Sequence, residues 1–214
     1  MSAIVRSFTV ILFLCAGLLG GSLAWPATPS APSILVLGDS LSAAYGIRVD
    51  QGWVALLQAR LRAKGYDHRV VNASSSGETT GGALARLPRA LATHRPAIVI
   101  VELGGNDGLR GLPVADVRAN LQSIIDLSQR AGARILLVGI RIPPNYGPTY
   151  TREFERMYSD LARVRALPHV PFLLADVALD ENLMQDDGLH PNAAAQPRLL
   201  DAVWKPLEPM LRAR

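Results

Sequence analysis

The amino-acid sequence predicts an α/β fold in which parallel strands form one sheet that is covered by helices on both faces. Short apolar runs alternate along the chain with longer segments whose apolar residues recur at the spacing of a helix. Uninterrupted apolar runs are typical of strands buried on both faces, and their alternation with helices is typical of a parallel sheet. The length of 214 residues is enough for one domain with a full hydrophobic core.

The first 24 residues have the pattern of a secretory signal peptide. Arg6 is their only charged residue, Phe8 to Gly21 is an uncharged, mostly apolar run, and Ser22 to Ala24 has the small-x-small pattern of a signal peptidase site. An uncleaved membrane anchor is the alternative, because residues 7–32 carry no charge. The strongly apolar part is shorter than the roughly 20 residues that span a bilayer. We therefore expect cleavage near Ala24 and a periplasmic or secreted protein.

The remainder of the chain is predicted to hold a single domain. Residues 25–32, rich in Pro, Ala, Thr and Ser, are expected to form an extended lead-in to a domain that spans residues 33–214. Cys15 is the only cysteine and lies in the predicted signal. A mature chain without cysteine excludes disulfides, thiol nucleophiles and cysteine-ligated metal sites. It also suits an oxidising compartment.

The charge distribution argues against a nucleic-acid partner. The formal net charge is +4, and removal of Arg6 with the signal leaves +3. The remaining Arg and Lys residues are scattered among carboxylates rather than clustered on one face or helix. We expect a monomer that binds a small molecule and has no stable membrane span after signal cleavage.

Five apolar runs are candidate strands, and five segments between or after them have helical spacing. The candidate strands are Ile34 to Leu37, Arg69 to Val71, Ala97 to Leu103, Arg134 to Ile140 and Phe172 to Leu174. The apolar stripes of the candidate helices lie within residues 53–61, 84–91, 114–125, 154–161 and 199–204. Two layers of helices around a central sheet follow from this order.

Proline and threonine give expectations about where these helices begin and end. Thr151 is a candidate N-cap of the fourth helix, and Pro197 suits the first turn of the last one. Pro88 is expected to kink or shorten the second helix, while Pro206 and Pro209 should make the end of the last helix irregular.

Ser40, in the stretch GDSLSAAYG from Gly38 to Gly46, is the first candidate catalytic residue. It follows the first predicted strand, and the carboxyl ends of parallel strands form the edge where α/β proteins bind ligands. A serine in this position is more often a helix cap than a nucleophile. Ser40 therefore needs a base before its position argues for catalysis.

The segment DDGLHPN, residues 186–192, offers that base. A serine hydroxyl becomes a good nucleophile when an imidazole takes its proton and a carboxylate orients the imidazole. His190 and Asp187 are three residues apart in a predicted tight turn, and Asp186 competes with Asp187 for the orienting role. The other histidines lack such an arrangement and are expected at the surface or at helix ends: His68, His94 and His169.

Two further loops offer donors for an oxyanion, which acyl transfer also requires. Gly77, in NASSSGET, can present an unobstructed backbone N–H group, and Asn106, in GGNDG, can present its side-chain amide. Each loop taken alone reads as an ordinary turn, because Gly and Asn are common turn residues. All four segments, however, fall at predicted strand ends or before the last helix, so they can reach one rim of the sheet.

The sequence resembles the GDSL, or SGNH, hydrolase family. Ser40, Gly77, Asn106 and the pair Asp187 and His190 match the four family blocks in order. Family members that are thioesterases, lysophospholipases and arylesterases also share VELGGNDGLRG, RIPPNYG and MQDDGLHPNAAAQP with this chain. The resemblance covers about residues 33 to 205.

The resemblance implies a flavodoxin-like three-layer αβα fold with a central parallel sheet of about five strands. It implies a secreted serine esterase or thioesterase that forms an acyl-enzyme and needs no metal or organic cofactor. Ser40 is the implied nucleophile, His190 the base and Asp187 its orienting partner, with the N–H groups of Ser40 and Gly77 and the amide of Asn106 as oxyanion donors. The G-x-S-x-G pattern of α/β-hydrolases is absent, because Ser occupies position 42.

The substrate end of the site is expected in two loops, residues 108–113 and 142–147. The first corresponds to a mobile loop in thioesterases of the family. The residues expected to line an apolar groove for an acyl chain are Leu109, Leu112, Ile142, Pro143 and Tyr146. Packing within the loops is the alternative role for these side chains. Two alternative functions stay open, a carbohydrate O-deacetylase and a non-catalytic binding module.

Overall fold

The computed structural model describes residues 31–212, and a parallel sheet of five strands lies at their centre. The strands are β1 (Ser33–Gly38), β2 (Arg69–Asn72), β3 (Ile98–Glu102), β4 (Arg134–Val138) and β5 (His169–Val170). Their order across the sheet is β2-β1-β3-β4-β5, and every neighbouring pair is parallel. The predicted α/β fold with a central parallel sheet is confirmed. The predicted signal peptide lies outside the described residues.

Six α-helices accompany the strands within residues 31–212. They are α1 (Trp53–Ala63), α2 (Thr80–His94), α3 (Gly105–Leu109), α4 (Val114–Arg130), α5 (Pro148–Val164) and α6 (Gln196–Arg212). Four short 3-10 turns lie at Val49–Gln51, Pro144–Tyr146, Glu181–Leu183 and Ala193–Ala195. No helix in this part of the chain has the length and apolarity needed to cross a bilayer.

The sheet separates two hydrophobic cores. Successive side chains of a strand point to opposite faces, so Ile34 and Val36 enter one core while Leu35 and Leu37 enter the other. The first core is completed by α1 and α6, and the second by α2, α4 and α5. A strand such as β1 therefore needs apolar residues at successive positions, because its side chains enter both cores.

The prediction for the fifth strand is wrong in position. Strand β5 is His169–Val170, whereas residues 172–174 have left the sheet. Gly139 N–H donates to Val170 O at 2.8 Å, but Gly139 O accepts from Leu173 N–H at 3.1 Å and not from Phe172 N–H, which regular parallel pairing would use. The regular pairing of β5 with β4 therefore ends at Val170.

The prediction that Thr151 caps the fourth helix is also wrong. Helix α5 begins one turn earlier, at Pro148, with Gly147 at the N-cap position. The fixed φ of proline favours the first helical position, where its missing N–H group costs nothing. Thr151 lies inside the helix, and its hydroxyl donates to Gly147 O at 3.0 Å.

The prolines inside two helices do not end them, so the shortening that was one of the two effects expected at Pro88 does not occur. Helix α2 continues through Pro88 to His94, and α6 continues through Pro206 and Pro209 to Arg212. An interior proline costs about 3 kcal/mol, whereas each fully buried large apolar side chain contributes about 1.5–3 kcal/mol. The C-terminal half of α6 buries Leu207, Met210 and Leu211. Packing on the core outweighs the lost hydrogen bonds.

Candidate active site

Ser40, His190 and Asp187 form a hydrogen-bonded chain at the carboxyl edge of the sheet. Ser40 begins a helical turn directly after β1, in which Ala43 N–H donates to Asp39 O at 2.9 Å. Ser40 Oγ lies 2.9 Å from His190 Nε2, and His190 Nδ1 lies 2.6 Å from Asp187 Oδ2. The strand end and the loop before α6 thus bring the three predicted side chains together.

The structure places Asp187, and not Asp186, beside the imidazole. Asp187 Oδ1 accepts hydrogen bonds from the backbone N–H groups of Leu189 and His190, each at 2.9 Å. Partial burial acts to raise the pKa of Asp187, but the hydrogen bonds from His190 and Leu189 outweigh it and lower the pKa to about 2. The carboxylate therefore stays ionised throughout the neutral range, while both of its oxygens are held by the turn that carries His190.

Tyr45 covers the other side of His190, a contact that the sequence analysis missed. The two ring centroids are 4.5 Å apart and the planes are tilted by 41°. Gln185 fixes both partners, because its backbone N–H donates to His190 O and its side-chain amide donates to Tyr45 O, each at 2.8 Å. Tyr45 lies in the same GDSLSAAYG stretch as Ser40, but only the folded structure shows that it contacts His190.

The predicted oxyanion donors lie on the adjoining loops. Asn106 is the second residue of α3, and its Nδ2 donates to Glu78 O at 2.9 Å and to Asp39 Oδ2 at 3.4 Å. Within residues 31–212, the backbone N–H groups of Ser40 and Gly77 have no acceptor. Gly77 has a φ of 78°, and its carbonyl accepts a hydrogen bond from Arg110 at 3.2 Å. Two backbone donors are therefore available to a ligand, and Asn106 ties the two loops together.

Asp39, directly before Ser40, is a second residue that the sequence analysis did not assign. Its side chain is 1% exposed, and Oδ1 accepts the Leu41 N–H at 3.1 Å. Burial raises the pKa of Asp39 to about 6, and repulsion from Asp107 adds to it, against the lowering effects of the Leu41 N–H and of His190. The turn that holds Ser40 therefore carries a carboxyl group with a pKa close to neutrality.

A cavity of about 110 Å³ opens beside Ser40, His190 and Asn106. Three of the five predicted substrate-binding residues line it: Leu109, Ile142 and Pro143. The other two do not line it. The Tyr146 hydroxyl instead donates to Leu109 O at 2.7 Å, and Leu112 lies at the surface. The apolar wall also includes side chains that the sequence analysis had not assigned: Leu41, Ile140, Phe172, Leu173, Leu174 and Leu189.

Arg141 adds a guanidinium group to the lining of this cavity. Its guanidinium lies 5.0 Å from the ring centroid of Phe172 and 2.5 Å from Glu155 Oε1. No group of three or more His, Cys, Asp or Glu residues within residues 31–212 is arranged to hold a metal ion.

The comparisons with known proteins agree with this geometry. A family model described as the GDSL-like Lipase/Acylhydrolase family matches residues 36–197. The chain belongs to this family. The match spans the segments that carry Ser40, Gly77, Asn106, Asp187 and His190.

Relatives within the family are close in sequence and in fold. The chain is 53% identical over 182 residues to Esterase TesA of Pseudomonas aeruginosa, covering 85% of this chain and 90% of that protein. It is 44% identical over 182 residues to Thioesterase 1/protease 1/lysophospholipase L1 of Escherichia coli K12, covering 85% of this chain and 86% of that protein. The solved structure of the psychrotrophic esterase EstA from Pseudoalteromonas sp., inhibited by monoethylphosphonate, is 44% identical with a TM-score of 0.80 and covers 85% of this chain and 99% of that chain.

Family membership confirms the resemblance seen in the sequence and the flavodoxin-like layered fold that it implied. It also confirms the prediction of a serine hydrolase that acts on carboxylic ester and thioester bonds. This member of the GDSL-like acylhydrolases is therefore an enzyme with esterase activity.

Proposed function

We propose that this protein is a secreted esterase and thioesterase that hydrolyses acyl substrates through an acyl-enzyme on Ser40. The observation that carries the proposal is the hydrogen-bonded chain from Ser40 Oγ through His190 to Asp187, at 2.9 and 2.6 Å, beside an apolar cavity. The distances fit a nucleophile, its base and the carboxylate that orients the base.

The first half of the reaction forms the acyl-enzyme. Ser40 Oγ attacks the acyl carbonyl carbon while its proton passes to His190 Nε2, and Asp187 stabilises the imidazolium through Nδ1. The oxyanion of the tetrahedral intermediate accepts hydrogen bonds from the N–H groups of Ser40 and Gly77 and from Asn106 Nδ2. Asn106 keeps its hydrogen bond to Glu78 O and gives up the long contact with Asp39 Oδ2, at 3.4 Å, in favour of the oxyanion. The intermediate then expels the alcohol or thiol, which takes the proton from His190.

The second half releases the acid. His190 removes a proton from a water molecule, and the resulting hydroxide attacks the carbonyl of the acyl-serine through the same oxyanion donors. The carbonyl–Oγ bond breaks, and Ser40 recovers its proton from His190. Monoethylphosphonate, the inhibitor of the related esterase EstA, has the tetrahedral shape of these intermediates, which supports a covalent route on serine.

The walls of the cavity favour substrates with an apolar acyl chain. Leu109, Ile142 and Phe172 provide apolar surface next to Ser40, and each buried methylene of a ligand contributes about 0.8 kcal/mol. The names of the relatives, which include an esterase, an arylesterase and a thioesterase/lysophospholipase, support aryl esters, acyl-CoA thioesters and lysophospholipids as the substrate classes.

The two alternative functions are less well supported. A carbohydrate O-deacetylase requires a polar cleft with aromatic platforms, whereas the cavity wall of this chain is mostly aliphatic, with Phe172 as its aromatic member within the described residues. A non-catalytic binding module does not require Ser40 and His190 within hydrogen-bonding distance.

We also propose that the enzyme works outside the cytoplasm. The signal pattern of residues 1–24 and the absence of cysteine from the rest of the chain support export to an oxidising compartment. Expression with the native N-terminus and determination of the mature N-terminal residue tests this proposal. Cleavage near Ala24 is expected, and retention of the full chain in the membrane fraction would contradict it.

The decisive experiment compares Ser40→Ala with Ser159→Ala, a matched change of an exposed serine on α5. Ser40→Ala should abolish hydrolysis of p-nitrophenyl esters and acyl-CoA thioesters, while Ser159→Ala retains wild-type rates. A reactive ethylphosphonate ester should add to the peptide that contains Ser40, as mass spectrometry can show. Undiminished turnover by folded Ser40→Ala would remove Ser40 as the nucleophile. A chain-length series of thioesters, set against acetylated sugars, then identifies the substrate class.

A further inference from the structure

Glu102 is a buried carboxyl group beneath the nucleophile turn. It is the last residue of β3, and the parallel register places it directly beside Gly38, the last residue of β1. Its side chain is 0% exposed. The steps of acyl transfer described above make no use of it, although a fully buried glutamate is rare and costly.

The carboxyl group of Glu102 contacts the turn on both sides of Ser40. Ser42 Oγ donates to Glu102 Oε2 at 2.6 Å, and Asp39 N–H donates to the same oxygen at 3.4 Å. Ser40 stands between these two donors in sequence, so one oxygen atom ties down the residue before the nucleophile and the second residue after it.

The short distance between Glu102 and Ser42 explains why the GDSLS motif begins with a glycine. A Cβ atom at Gly38 would lie 2.7 Å from Ser42 Oγ and 2.9 Å from Glu102 Oε2. Both distances are shorter than a carbon–oxygen contact allows, so a side chain at position 38 would force apart the hydrogen bond between Ser42 and Glu102. The small residue therefore makes room for the contact that holds the turn.

The surroundings of Glu102 favour its neutral form. Burial, together with repulsion from the Asp39 carboxylate, raises the pKa of Glu102 well above its usual range. Its second oxygen, Oε1, has no hydrogen-bond partner among residues 31–212. An unpaired oxygen is far costlier on a buried carboxylate than on a neutral acid, and the neutral group still offers Oε2 as an acceptor to Ser42 and Asp39.

We propose that Glu102 is a positioning residue for the nucleophile: its Oε2 holds the Asp39 to Ser42 turn through Ser42 Oγ and Asp39 N–H, and so aims Ser40 Oγ at His190 Nε2. The inference rests on the proposed role of Ser40. Glu102 touches neither substrate nor His190 in this arrangement, and it acts by restricting the direction of the hydroxyl. Loss of the contact should therefore lower kcat for acylation and leave KM almost unchanged.

The test uses three substitutions in the full chain, with kcat and KM for a p-nitrophenyl ester and the rate of Ser40 modification by a reactive ethylphosphonate ester. Glu102→Gln keeps an acceptor oxygen for Ser42 and Asp39 in an uncharged side chain of the same size, so its kcat should stay within about threefold of wild type. Glu102→Leu removes the acceptor at similar volume, and Ser42→Ala removes the donor. Both should lower kcat and the modification rate by about tenfold or more.

A matched control separates positioning from loss of stability. Ser128, on α4, is 0% exposed like Glu102, and its hydroxyl donates to Ile124 O at 2.8 Å. Ser128→Ala is therefore the same chemical change at a buried serine without a contact to the nucleophile turn. It should lower Tm as Ser42→Ala does, and keep the wild-type kcat.

Two results would overturn the inference. The first is that folded Ser42→Ala and Ser128→Ala have kcat values within twofold of each other. This result would reject the positioning role even if Glu102→Leu does not fold. The other is a Glu102→Gln variant that loses as much kcat as Ser42→Ala. Either result leaves Ser40 as the nucleophile if Ser40→Ala is inactive, whereas an active Ser40→Ala variant would reject the proposed function itself.

Discussion

Asn106 Nδ2 donates to Glu78 O at 2.9 Å, a hydrogen bond that joins the loop after β3 to the loop after β2. Because Gly77 directly precedes Glu78, this bond fixes the distance between two of the proposed oxyanion donors. Glu78 is itself held by Arg86 on α2, whose Nε lies 2.6 Å from Glu78 Oε2. The oxyanion site is thus supported from outside the catalytic chain of Ser40, His190 and Asp187.

Replacement of Asn106 by Ala should lower kcat for ester hydrolysis by about 10²–10³-fold with little change in KM, since the lost amide acts on the transition state. Steady-state kinetics with a p-nitrophenyl ester measures both constants. Asn182→Ala, at an exposed asparagine outside the cavity, is the matched control and should behave as wild type. A change confined to KM would argue that Asn106 binds the ground state instead.

Replacement of Asp187 by Asn should lower kcat by about 10⁴-fold, because the amide no longer stabilises the imidazolium or selects its tautomer. Asp186→Asn changes the neighbouring exposed carboxylate in the same way and should retain most of the activity. Comparison of the two variants by ester hydrolysis checks the assignment. Equal losses in both would show that the orienting role is shared between the two carboxylates.

Replacement of Asp39 by Asn should change how stability depends on pH. The pKa of Asp39 is raised by burial from 3.8 to about 6, so the native chain binds this proton more tightly than the unfolded chain. The protonated carboxyl group of Asp39 therefore makes its full contribution to the free energy of unfolding below about pH 4. This contribution is lost as the pH rises through about 6. Asparagine does not titrate.

The stability of Asp39→Asn relative to wild type should therefore increase between about pH 4 and pH 7. Urea unfolding of both proteins at several pH values measures the difference. Asp187 has the opposite effect, since a pKa lowered to about 2 adds stability that is lost as the pH falls, but it is common to both proteins and cancels. A difference that is constant with pH would refute the assignment.

Leu109 and Leu112 provide a matched pair for the acyl cavity. Leu109, the last residue of α3, lines the cavity, whereas Leu112 lies three residues further along the chain without lining it. Leu109→Ser should weaken the preference for longer acyl chains, because each methylene that loses an apolar contact forfeits up to about 0.8 kcal/mol. Leu112→Ser should leave the chain-length profile unchanged. A chain-length series of p-nitrophenyl esters measures the preference of each variant. Equal effects of the two substitutions would indicate that the acyl chain binds nearer the surface, beside Leu112 as well as Leu109.

The sequence was sufficient for features that depend on local pattern. Strands β1 to β4 were predicted because their apolar runs are continuous, and the stripe of α4 places Val117, Leu121 and Ile124 on one buried face. The pairing of His190 with Asp187 was also predictable, because three residues in a tight turn bring the two side chains together. Family blocks then placed Ser40 opposite them.

Features that depend on tertiary contacts were not predictable in the same way. The apolar run Phe172 to Leu174 has the pattern of a strand, yet these residues follow the end of β5 and line the cavity. Glu102 was included in the predicted third strand. A single carboxylate at the end of a buried apolar run was the available signal, but its partner Ser42 lies 60 residues away and only the strand register brings the two together.

The contact between Ser40 and His190 joins residues that are 150 positions apart. Ser40 follows the first strand of the sheet, while His190 lies just before the final helix. In the proposed mechanism, Ser40 leaves the ribosome long before its base His190, so a partly made chain would contain no activated serine. We therefore expect hydrolysis to begin only when the segment that carries His190 has packed against Ser40.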